Sequence, residues 1–76
     1  MRKQERVNGY TFNLDDDQEM YECRGEVCYD DEHDEVPDPK LWEATNKLAD
    51  MLERKGINAS AQYSEKGWQE VIIGAK

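Results

Sequence analysis

The sequence predicts an α+β domain with elements in the order ββαββ: a four-stranded, mainly antiparallel sheet with one helix packed on one face. Two stretches of alternating polar and apolar residues precede residue 30, a capped amphipathic segment spans residues 38 to 56, and two more alternating stretches follow it. These three observations carry the prediction.

In VNGYTFNL, Tyr10, Phe12 and Leu14 alternate with Thr11 and Asn13, the period of a half-buried strand. Residues 1–6 are expected to be a flexible lead-in, and Asp15-Asp16-Asp17-Gln18 is polar enough to turn the chain. Alternation resumes at Glu19, with Tyr21, Cys23, Val27 and Tyr29 on one face and Met20, Glu22, Arg24, Glu26 and Cys28 on the other. A long second strand, antiparallel to the first, is therefore expected. Gly25 falls on its apolar face, where it marks a bulge or a close approach of the helix. The alternative is a tight turn at Arg24-Gly25-Glu26.

Asp38-Pro39 is a helix start, an N-cap acceptor before a proline whose missing N–H costs nothing at the first helical position. Leu41, Ala44, Thr45, Leu48 and Leu52 recur at helical spacing, with Met51 beside them and Trp42 expected at the edge of the core. Lys55-Gly56 ends the helix with a cation at the negative end of the dipole and a residue suited to a left-handed cap. Ile57, Ala59, Ala61 and Tyr63 then predict a third strand, Ser64-Glu65-Lys66-Gly67 a turn, and WQEVIIG a fourth strand. In that last strand Val71 and Ile73 share one face, and Trp68 and Ile72 the other.

Seventy-six residues suffice for one small domain, with 30–37 as an acidic loop. The net charge of -8 is local: residues 15 to 38 hold twelve acids and one base, whereas residues 1 to 14 carry +2 and residues 39 to 76 carry +1. Phosphates would be repelled by the acidic region, so direct nucleic-acid binding is disfavoured and the fitting partners are cations or basic protein surfaces. No apolar run approaches the length of a membrane span, and MRKQERVNGY lacks the apolar region of a signal peptide. A cytoplasmic protein with reduced cysteines is expected.

The densest cluster of reactive side chains is CYDDEHDEVPDPK. Cys23, Cys28 and His33, with a nearby carboxylate, are candidate zinc ligands, but the spacing lacks a tight cysteine knuckle. On an extended strand the two thiols would also lie about 17 Å apart on opposite faces. A calcium loop starting at Asp15 fails at its sixth position, where Met20 replaces the required glycine. His33, the only histidine, has no nucleophile motif to serve, so no enzyme and no cofactor are expected.

The remaining candidate is a docking surface. The open sheet face would carry Met20, Glu22, Glu26, Asp30 and Trp68, with carboxylates two residues apart spaced by about 7 Å, and Asp31, Glu32, Asp34 and Glu35 would extend it. The expected function is a non-enzymatic interaction protein, an inhibitor or nucleic-acid mimic (a DNA mimic) occupying a basic, nucleic-acid-binding surface of a partner protein. In size, acidity and element order the chain resembles the small inhibitors carried by phages and mobile elements, including some anti-CRISPR proteins. The alternatives are a zinc-stabilised module using Cys23, Cys28 and His33, and an adaptor without intrinsic activity.

Overall fold

Asn8-Gly9 turns the chain between two strands, β1 (Gln4–Val7) and β2 (Tyr10–Leu14), with φ of 53° and 86°. Positive φ at both central residues is the type I′ geometry whose twist suits a two-residue hairpin. In the computed structural model, which describes residues 3–17 and 19–74, these strands join β3 (Met20–Arg24), β6 (Ala59–Tyr63) and β7 (Trp68–Ile73) in one antiparallel sheet of order β1-β2-β3-β7-β6. A second, two-stranded sheet pairs β4 (Cys28–Tyr29) with β5 (Glu35–Val36). The single helix, α1 (Pro39–Arg54), lies over one face of the large sheet, against β6, β7 and β1.

The α+β class and the helix on a mainly antiparallel sheet agree with the sequence prediction, but the large sheet has five strands instead of four. The added strand is β1. It overlaps the segment expected to be flexible over residues 1–6, and it pairs with β2 from Gln4↔Asn13 to Val7↔Tyr10. Met1 and Arg2 of that segment, and Gln18 of the expected turn, lie outside the described residues.

The second correction concerns the long strand. β3 stops at Arg24, opposite Trp68, where β7 begins and the chain opposite is already the β6–β7 turn. Gly25 instead donates its N–H to the carbonyl of Gly67, 2.7 Å away, in the β6–β7 turn. Val27 and Tyr29, expected on the apolar face with Tyr21 and Cys23, are consequently exposed, whereas Tyr21 and Cys23 are buried. Part of the expected acidic loop, Glu35–Val36, is strand β5.

Phe12, Tyr21, Cys23 and Val71 on the sheet meet Leu41, Ala44, Leu48 and Leu52 on the helix to form the core. Two polar residues, Thr45 and Gln69, are fully buried among them. The Thr45 hydroxyl lies 2.7 Å from the Leu41 carbonyl and 2.8 Å from Gln69 Oε1, and Gln69 Nε2 donates to the Asp38 carbonyl at 3.3 Å. A buried amide without partners would be costly; here it ties β7 to the start of α1. Asp38 caps that start by accepting the Lys40 N–H at 3.1 Å. At the other end Gly56, with φ of 86°, and the bonds Gly56 N–H to Glu53 and Ile57 N–H to Leu52 complete a Schellman cap.

Neither crossing glycine tolerates a side chain equally. A Cβ on Gly67 would sit 2.3 Å from the Gly25 carbonyl oxygen at a φ of 88°, whereas one on Gly25 would sit 2.5 Å from Leu41 Cδ2, the end of a side chain that can turn aside. Gly67→Ala therefore combines backbone strain with a backbone clash, each costing about 1–3 kcal/mol. Gly25→Ala carries only overpacking, about 1–3 kcal/mol. Urea denaturation should rank Gly67→Ala as the more damaging substitution.

Candidate functional site

The acidic region is shaped by a turn that its own side chains build. Asp30 and Asp34 close the β4–β5 hairpin through Asp30 N–H to the Asp34 carbonyl at 3.0 Å and His33 N–H to the Asp30 carbonyl at 2.9 Å. This leaves Asp31, Glu32 and His33 as a three-residue loop. His33 has a φ of 64°, the left-handed conformation that such a loop needs at its last position and that histidine enters more readily than most residues. Asp30 Oδ1 accepts the N–H groups of both Glu32 and Asp34 at 2.9 Å, an Asx turn that fixes the loop from within. The rings of Tyr29 and His33 stack with centroids 4.8 Å apart.

The hairpin is tethered to the main sheet by one carboxylate. Glu35 Oε2 accepts the hydroxyl of Tyr63, at the end of β6, and the backbone N–H of Lys66 at 2.7 Å. Tyr63 in turn accepts the Gly67 N–H at 3.0 Å. Hydrogen bonds to the ionised form, first from Tyr63 and then from the Lys66 amide, hold the Glu35 carboxyl below the ordinary carboxylate range. Removal from water and the bond to Glu35 push the Tyr63 hydroxyl above its usual value.

Of the residues expected to bind a partner, the structure groups Asp30, Asp31, Glu32, Asp34 and Glu35 on this hairpin. Among the described residues, none of these five acids enters an ion pair. Asp31, Glu32 and Asp34 are exposed at the tip, while Asp30 is occupied by the hairpin itself and Glu35 by Tyr63 and the Lys66 amide of the main sheet. Met20, Glu22 and Trp68 lie elsewhere, on the open face of the large sheet, where Glu22 stands between Asn13 and Glu70 and Met20 beside Ile72. Glu26 and Asp30, expected on that face as well, leave it because β3 ends at Arg24. The open face thus carries Arg6 and Arg24 as well as Glu22 and Glu70, and the Arg24 guanidinium lies 5.9 Å from the Trp68 ring. It is a mixed surface instead of an acidic one.

The zinc candidates are not assembled. Among the described residues no three of His, Cys, Asp and Glu are placed to hold a metal ion. Cys23 points into the core, where burial pushes its thiol above the usual range, and Cys28 Sγ lies 3.8 Å from the Glu26 carbonyl. Asp15, the first position of the calcium pattern, instead accepts the N–H groups of Glu19 and Met20 at 2.8 and 3.3 Å, holding the β2–β3 turn. A cleft of about 500 Å³ opens at the other end of the sheet, where Lys3, Glu5, Tyr21, Lys55 and Ile57 line it with both signs of charge. Burial, with a further contribution from Glu5, raises the Tyr21 hydroxyl there.

Sequence reasoning missed Tyr63 and Gln69. Both carried a signal: a tyrosine or glutamine on the apolar face of a strand brings a polar group that needs a partner. No helix among the described residues is long and apolar enough to cross a membrane. Comparison with known proteins gives no match to a family model, a curated protein or a solved structure.

The tether sets a window of pH. Because the Glu35 carboxyl is lowered in the folded chain, its contribution is present above the ordinary carboxylate value and is lost as pH falls through the folded value. Tyr63 is raised, so its contribution is full below the ordinary phenol value and is lost as pH climbs through the folded one. Amide protection in residues 28–36, taken relative to the intrinsic exchange rate at each pH, should therefore fall at both extremes before that of the large sheet. Glu35→Gln should remove the acid-side step, and an unchanged acid profile in that variant would count against the tether.

Proposed function

We propose that this chain is a non-enzymatic acidic interaction protein whose β4–β5 hairpin docks on a basic surface of a partner protein, of the kind that binds nucleic acid. The observation that carries the reading is the preformed hairpin, with the exposed carboxylates of Asp31, Glu32 and Asp34 on a tip fixed by Asp30 and tethered by Glu35. A turn held by its own hydrogen bonds loses little freedom on docking, which favours affinity. Clustered carboxylates in a region of net charge -11 supply the long-range attraction that speeds encounter with a basic surface. An inhibitor acting in this way blocks its partner by occupying the surface that phosphates would otherwise fill.

The division of labour among the acids sharpens the test. Replacing Asp31, Glu32 and Asp34 together by their amides removes tip charge without touching the side-chain acceptors that shape the hairpin. With a partner captured from the native host, the on-rate should fall about tenfold or more from low to physiological salt, and the triple amide should bind more weakly with a shallower salt dependence. Binding by the triple variant that matches the parent at every salt concentration would remove the hairpin as the docking element.

A further inference from the structure

The strand β6, at an outer edge of the sheet, carries neither the charge, the proline nor the bulge that usually protects an edge, and the β4–β5 hairpin meets it only at its Tyr63 end. Natural sheets blunt their edges with charge, proline or bulges; β1, at one edge, carries Glu5 and Arg6, whereas β6, at the other, reads Ala59-Ser60-Ala61-Gln62-Tyr63 without a charge or a break in its pairing. Its backbone is also ready to pair. Gly74 N–H donates to the Asn58 carbonyl and Ser64 N–H to the Trp68 carbonyl, so the even-numbered residues hold the ladder to β7. In an antiparallel ladder the alternate residues, Ala59, Ala61 and Tyr63, then direct their N–H and C=O groups outward.

We propose that β6 pairs antiparallel with β6 of a second copy of this chain, about a two-fold axis at Ala61, joining the two sheets into one. In this register Ala61 pairs with itself, Ala59 with Tyr63 and Ser60 with Gln62. The outward groups of Ala59, Ala61 and Tyr63 all find partners. Beyond the strands Glu65 faces Ile57 and Lys66 faces Gly56, so no like charges oppose each other. The same register turns the Lys55 end of one helix toward the Tyr63 end of the other copy, where Glu35 and the acidic hairpin sit.

The helices fit the same arrangement. Each packs most heavily on its own β6 and β7 while also reaching β1. Because that packing is heaviest at the β6 edge, joining the two edges brings the two helices side by side on one face of the combined sheet. Lys47 Nζ reaches Asn8 Oδ1 in the β1–β2 turn at 3.3 Å, so the Lys47 flank of α1 faces the β1 side. At 100° per residue, Trp42 and Ala49 lie on the opposite flank, toward the β6 edge. Half-buried Trp42 gives that flank a large apolar side chain to place between the helices.

Sedimentation equilibrium of the full chain should give twice the monomer mass at micromolar concentration. Ala61→Pro removes only an outward N–H, which the ladder to β7 does not use, and should yield a folded monomer. A charge pair tests the register independently and leaves the backbone unchanged. Ser60→Lys with Gln62→Lys opposes lysine to lysine across the axis and should weaken the dimer about tenfold or more, whereas Ser60→Glu with Gln62→Lys opposes unlike charges and should retain it. A monomeric parent chain, or a dimer indifferent to both charge pairs, would overturn the proposal.

Discussion

Two glycine backbones in contact set the course of the chain. Gly25 donates to the Gly67 carbonyl at 2.7 Å, and a Cβ on either residue would collide, with the Gly25 carbonyl in one case and with Leu41 in the other. That contact takes β3 out of the sheet after Arg24 and sends the following residues past the β6–β7 turn. It thereby places Glu35 where Tyr63 and the Lys66 amide can bind it. It also admits Leu41 and the first turn of α1 against the sheet, where Gln69 ties the Asp38 carbonyl to β7. Hairpin, helix start and turn are therefore positioned by one close approach that side chains would prevent.

The acids of residues 15–38 look uniform in sequence but have different physical duties. Asp15, Asp30, Glu35 and Asp38 each accept backbone N–H groups that no strand or helix satisfies, at the β2–β3 turn, the hairpin tip, the tether and the helix cap. Carboxylates are strong acceptors for such orphan donors, so a chain with several tight connections gains from them regardless of any partner. The charge available for recognition is the remainder, and at the hairpin tip it narrows to Asp31, Glu32 and Asp34. Net charge alone could not make that separation, because it records neither which carboxylates face amides nor which face water.

The helix was legible down to its caps, since Asp38-Pro39 and Lys55-Gly56 are local signals that tertiary context did not override. The β7 alternation and the close approach at Gly25 were equally readable. Strand β1 was also signalled by Asn8-Gly9, but Gln4-Glu5-Arg6 offers too little apolar alternation to look like a strand; its pairing supplies what its side chains do not. The break at Arg24 was not readable from β3 itself. Alternation continues through Tyr29, and the strand ends where its partner, more than forty residues later, passes from β7 into the β6–β7 turn at Gly67. The candidate site suffered from the same error: the carboxylates of Glu22, Glu26 and Asp30 share a face only on a straight strand.

That bend also changes which apolar groups accompany the charge. Met20 is half-buried beside Ile72, and Trp68 lies under the Arg24 guanidinium, both on a face where positive and negative groups alternate. Val27 and Tyr29, by contrast, leave the core with the hairpin and are 38% and 54% exposed, Val27 at its base and Tyr29 beside His33 of the acidic tip. Tyr29 is stacked on His33 and so presents a ring whose freedom is already reduced. Charge speeds an encounter, but tight complexes are usually held by aromatic anchors that lose water on docking. The hairpin, which carries Tyr29 together with Asp31, Glu32 and Asp34, supplies both on one small element, which the open sheet face does not.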